Sequence, residues 1–87
     1  MQIEPEAMKP LVNRAKRAQG HLAKVIAMME EGGDCEEVLT QFAAVLKALE
    51  RTGFGIVATG LHQCLASGEG LDGVDAQKMQ KLFLTLA

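Results

Sequence analysis

Residues 51–64 read RTGFGIVATGLHQC. Three glycines, Gly53, Gly55 and Gly60, fall inside an otherwise helical pattern. Each costs about 1 kcal/mol against alanine in a helix interior. If they break the helix, the chain is a set of short pieces. If they do not, it has a helix long enough to organise everything else. The apolar spacing carries on through Ile56, Val57 and Leu61, so the pattern predicts one helix from Cys35 to Ser67. The glycines then mark places where another helix comes close. Upstream, Cys35, Leu39, Phe42, Leu46, Leu49, Gly53 and Ile56 recur at alternating spacings of 4 and 3, a heptad seam. Asp34 reads as the N-cap, with Glu37 three positions on as its capping-box partner. That sets Cys35 at the first helical position.

The chain before Gly32-Gly33 has the same character. Leu11, Ala15, Ala18, Leu22, Val25 and Met29 form a second seam, predicting a first helix over about residues 6–31. Pro10 is compatible with it if it falls in the first turn. From Lys9 to Lys24 there are five basic residues and no acidic one. Arg14, Arg17, His21 and Lys24, at spacings of 3, 4 and 3, make a stripe beside the seam. ASGEGLDG (66–73) breaks the pattern. A short third helix is expected over 74–86, with Met79, Leu82, Phe83 and Leu86 on its apolar side. The expected fold is all-α, with three helices in a single domain, 1–87. Two long helices and a short one cannot close a core alone. The seams predict an antiparallel four-helix bundle built by two chains.

Composition agrees. The chain has 87 residues, 48% hydrophobic but only 3% aromatic, which suits packed helices better than sheet. MQIEPEA lacks the apolar core of a signal peptide, and no apolar run is long enough to span a membrane. A cytoplasmic protein with reduced thiols is expected. The net charge of −2 conceals the basic stripe. No nucleophile–base–acid set or phosphate loop is visible, so an enzyme is not expected.

The two cysteines are 29 residues apart, within about 20° of one helical face and about 43 Å apart along the axis. They cannot meet in one chain. In an antiparallel dimer, Cys35 of one chain approaches Cys64 of the other, giving two symmetric sites. Two buried cysteines acting as small hydrophobes would be the plainer reading. His62, two residues before Cys64, points about 200° away and cannot share a ligand with it. The position one turn before Cys64 is Gly60, which has no side chain. His62 and His21 both read as polar-face residues.

NRAKRAQGHL (13–22), MMEEGGDCEEVLTQFAAVLKAL (28–49) and LHQCL (61–65) together resemble the copper-sensing-repressor family, the CsoR/RcnR-like transcriptional repressors. The resemblance covers nearly the whole chain. It implies an all-α protein that forms a dimer of dimers and binds operator DNA without a helix-turn-helix. An inducer at a cross-subunit site would release the DNA. Arg14 and Arg17 lie in the family's N-R-x-x-R segment, and Arg51 matches a basic position in its second helix. With Lys24, and with Lys47 beside them, they are the expected phosphate contacts. The resemblance places copper ligands at Cys35, at Cys64 and at a histidine where this chain has Gly60. Cysteine with cysteine but no histidine is similar to the persulfide-sensing, CstR-like branch. There the first thiol takes sulfane sulfur, and the second resolves it into a di- or polysulfide bridge. Cu(I) held by the two thiolates is the alternative inducer. A structural helical module with a solvated basic face is the reading without the resemblance. The resemblance also sets Gln80 near a position where copper sensors carry an acidic residue behind the ligands.

Overall fold

The computed structural model describes residues 2–68 and 70–87. It contains three α-helices: α1 over Pro5–Glu30, α2 over Cys35–Ala66 and α3 over Val74–Leu86. No described residue is in a strand. The glycines do not interrupt α2, which runs 32 residues without a break. Local chemistry sets the ends. Asp34 accepts from the Glu37 backbone N–H at 3.0 Å, which caps α2. Gly32, with φ at +72°, turns the chain after α1. Gly32 N–H donates to the Met29 carbonyl and Gly33 N–H to that of Met28, the paired bonds of a Schellman ending. Pro10 departs from expectation. It lies inside α1, which starts at Pro5. The Glu6 carbonyl thereby loses its helical donor, and Glu6 is exposed, where water can replace it.

α1 and α2 form an antiparallel hairpin. Leu11, Ala18 and Val25 from α1 and Val45 and Thr52 from α2 are buried. The close approach comes at Gly55. A Cβ there would lie 2.5 Å from Leu11 Cδ2. The notch left by the missing side chain is filled by leucine. α3 then folds back along α2. A Cβ on Gly53 would meet Leu86 at 3.0 Å, and the Phe54 and Phe83 rings meet at a tilt of 48° with centroids 5.2 Å apart. Both glycines sit where another helix presses on α2, as the sequence suggested.

Within one chain the heptad seams stay largely open. On α2, Leu39, Phe42, Leu46, Leu49 and Ile56 are all exposed, Leu39 by 64%. The hairpin uses the neighbouring face, Val45, Ala48 and Thr52, instead. On α1, Met29 is 56% exposed, because the in-chain contact follows the Leu11–Ala18–Val25 line. On α3, Leu82 is exposed, whereas Ala76 is fully buried.

The outline explains this. The chain measures 53 × 25 × 13 Å. A width of 25 Å is about three helices abreast at 8–10 Å spacing, which leaves a single layer. The radius of gyration is 16.6 Å, against about 12 Å for a compact chain of this length. Stable folds stack at least two layers around a core, and one layer leaves its broad faces open. We expect Gly55→Val to lower stability by about 1–3 kcal/mol through overpacking against Leu11. Leu11→Ala in that background should recover part of the loss in a thermal melt. Strict additivity of the two changes would show that residues 11 and 55 do not meet.

Candidate functional site

Among the described residues, a groove lies on each side of Ala18 in the α1–α2 hairpin, and Ala18 lines both. The first, about 430 Å³, is walled by Arg14, Arg17 and His21 from α1 and by Arg51 from α2, over a floor of Ala18, Ala48 and Thr52. The small floor residues keep the groove open while the guanidinium groups rim it. No carboxylate lines it. Three of the expected basic residues are thus brought together by two helices distant in sequence. Lys24 continues the α1 stripe and is exposed, but it lies outside the groove, as does Lys47. Arginine suits such a place. Its planar fork bonds phosphate oxygens in pairs.

His21 lies on the polar face, as the sequence suggested, at the wall of the groove. It is half-buried, and its Nε2 lies 2.7 Å from Gln41 Oε1 across the hairpin. The sequence signal was its place in the stripe, one helical turn after Arg17. Gln41 carried no signal, because only the antiparallel register of the two helices brings it opposite His21.

The second groove, about 380 Å³, is lined by Val12, Ala15, Leu22 and Leu49 with Lys16 and Gln19. It belongs to the open apolar face that also carries Leu39, Phe42 and Leu46. The basic and apolar grooves therefore lie on opposite sides of one hairpin.

The two thiols are not brought together within the chain. Cys35 is exposed at the first position of α2, whereas Cys64 is buried, at 3% exposure. The helical turn explains the difference. Gly53, Val57, Gly60 and Cys64 recur at 4, 3 and 4, on the side of α2 that meets α3 at Gly53–Leu86. Gly60 is buried as well. So one face of α2 is open over its first half and covered by α3 over its second. His62 is exposed, on a different face from Cys64. Gln80 donates its amide to the Leu71 carbonyl at 3.0 Å, tying α3 to the turn before it. Gln63, next to Cys64, accepts from Glu4 N–H at 3.1 Å and donates to the Gln2 carbonyl. The N-terminal segment is thereby tied to the far end of α2.

A metal tests poorly against one chain alone. Among the described residues, no group of three or more His, Cys, Asp or Glu side chains is placed to hold an ion. Nor is any described helix long and apolar enough to cross a membrane.

Residues 7–86 match the sequence model of a family described as metal-sensitive transcriptional repressors. Three curated relatives are similar. The copper-sensing transcriptional repressor CsoR of Mycobacterium ulcerans is 37% identical over 62 residues, 71% of this chain and 52% of the relative. YrkD of Bacillus subtilis is 46% identical over 55 residues, 62% of this chain and 84% of the relative. The copper-sensing repressor RicR of Mycobacterium tuberculosis is 33% identical over 66 residues, 74% of this chain and 69% of the relative. The match thus spans about half the length of the first of these relatives. No solved structure matches the chain with significance. With its three helices and its match over residues 7–86, the chain belongs to the metal-sensitive transcriptional repressor family, the CsoR-like proteins, and so to a family of repressors rather than enzymes.

Proposed function

We propose that this chain, as a single domain over residues 1–87, is a cytoplasmic DNA-binding repressor whose inducer is read by a thiol pair, Cys35 of one chain and Cys64 of its partner. The observation that carries the pairing is the open apolar face of the α1–α2 hairpin, with Cys35 exposed at one end of α2. A second copy laid antiparallel on that face turns one layer into two and makes a four-helix bundle. It also brings the start of each α2 beside the end of the other. Two such dimers form the tetramer. On the opposite side of each hairpin, Arg14, Arg17 and Arg51, with Lys24 beside them, bind DNA phosphates.

Two inducers fit the thiol pair. The first is a persulfide. An RSSH passes its outer sulfur to Cys35 and leaves as RSH. The thiolate of the partner chain's cysteine at position 64 then attacks Cys35 Sγ itself and expels the outer sulfur as hydrosulfide. Two thiols are oxidised to a disulfide, and the sulfane sulfur is reduced to H₂S. When both thiols carry a sulfane sulfur first, loss of one hydrosulfide leaves a trisulfide. The residue that favours this reading is Gly60, buried where the resemblance places a copper sensor's third ligand. The second inducer is Cu(I), held by the two thiolates. The names of the curated relatives favour it. We rank sulfur first because those names describe the relatives' own sites, whereas Gly60 belongs to this one. In both readings Cys64 is buried within its own chain, so engaging it requires the elements packed on that part of α2 to shift. That gives the two-state element an inducer must bias.

Three measurements test this. Leu46→Glu should convert a dimer into a monomer by sedimentation without loss of helix, because Leu46 is 53% exposed within its own chain. A wild-type monomer at micromolar concentration, or a persistent Leu46→Glu dimer, would remove the bundle. Affinity for DNA should fall steeply with salt, and Arg51→Ala should flatten the slope by about 0.9 for each phosphate it ceases to neutralise. An affinity indifferent to salt would sink the phosphate contacts. Intact mass and DNA binding should be followed after cysteine persulfide, peroxide and Cu(I) in separate arms. Persulfide should give chain-linked dimers that have released DNA, and Cys35→Ser or Cys64→Ser should abolish the response. Tight Cu(I) uptake that releases DNA, with no response to persulfide, would replace the first reading by the second.

A further inference from the structure

The basic groove contains one group whose charge is not fixed. Arg14, Arg17 and Arg51 stay protonated at any physiological pH. His21 shares their groove, and a histidine changes charge between about pH 5 and 8. We propose that His21 is a further phosphate-contacting residue and makes DNA binding take up a proton. The inference rests on the DNA-binding reading above.

The geometry supports it in three ways. His21 is half-buried at the groove wall rather than on open surface. Its Nε2 is 2.7 Å from Gln41 Oε1, a contact in which the ring donates, since that oxygen can only accept. Gln41 thus acts as a positioning residue. It holds the proton on Nε2 and leaves Nδ1 as the atom that gains the second proton. Finally, the charged groups around the ring are one-sided. α1 supplies Arg14 and Arg17, with Lys24 one turn beyond. α2 supplies Arg51, while Glu37, one turn before Gln41, is exposed and does not line the groove. α3 packs on another side of α2. A phosphate laid in the groove places an opposite charge beside the ring, and an opposite charge favours the charged ring. Linkage gives the sign: protons are bound on association, so affinity rises as pH falls. The gain is at most about tenfold per pH unit for each His21 engaged.

The test uses the full chain, reduced, and a fluorescein-labelled 30-base-pair duplex of mixed sequence, since phosphate contacts do not depend on sequence. Affinity is measured from pH 5.5 to 7.5 at fixed ionic strength for the wild type, His21→Gln and His62→Gln. Circular dichroism at each pH checks that the fold is intact. Glutamine at position 21 keeps an amide donor for Gln41 but cannot titrate. The expected result is at least a fivefold rise in wild-type affinity toward pH 5.5, kept by His62→Gln and abolished in His21→Gln. The salt slope at pH 5.5 should also be shallower in His21→Gln than in the wild type. A flat wild-type profile, a profile kept by His21→Gln, or one abolished only in His62→Gln would overturn the proposal and leave the DNA-binding reading standing. No binding at any pH would overturn both.

Discussion

The structure depends on what α2 lacks at positions 53 and 55. At both, the space a Cβ would take is filled by a leucine from another helix, Leu86 at one and Leu11 at the other. A Cβ at either position would force those leucine methyl groups to move, slightly at Gly53 and further at Gly55. The helix loses about 1 kcal/mol of intrinsic propensity for each glycine. Close packing against two neighbours offsets that cost by restoring the dispersion contacts that a gap would forfeit. Helix continuity then follows from tertiary contact rather than from local preference, as is usual for long helices in folded proteins.

One continuous helix also fixes the relation between surfaces. Because Ala18 lines both grooves, basic and apolar sides are separated by little more than the hairpin's own thickness. A shift of α1 against α2 changes both grooves together. A change on the apolar side would therefore alter the basic groove as well. A negative net charge of −2 is no obstacle, since the acidic residues Glu30, Glu31, Asp34, Glu36 and Glu37 gather at the turn between the helices. At the start of α2 the last three also complement the helix dipole.

Much of this was legible in the sequence. Asp34 and Gly32 marked the α1–α2 turn through cap chemistry, and the helix limits follow from them within a residue or two. The arginine stripe and the family motifs located the basic side. Heptad spacing found which residues share a face, but spacing cannot say what covers that face. So the Leu39–Leu46 seam is open, and the Gly53–Cys64 continuation of the same face is closed by α3. The order of the covering depended on the length of the turn after Ala66 and on where α3 folds back. Neither has a periodic signature. The His21–Gln41 contact was hidden for a related reason. It exists only once the antiparallel register is set, and register between helices is a property of packing.

The unequal burial of the two cysteines has a kinetic meaning. Within one chain, a reagent arriving from solvent reaches Cys35 without any change in the fold. Cys64, at 3% exposure, becomes available only when the groups covering it open. Its apparent reactivity is the intrinsic rate multiplied by that opening constant. A change in how tightly Phe54 and Phe83 hold α3 to α2 would then alter the rate at which Cys64 reacts without touching a sulfur atom. Selection can tune that clock in residues far from either cysteine.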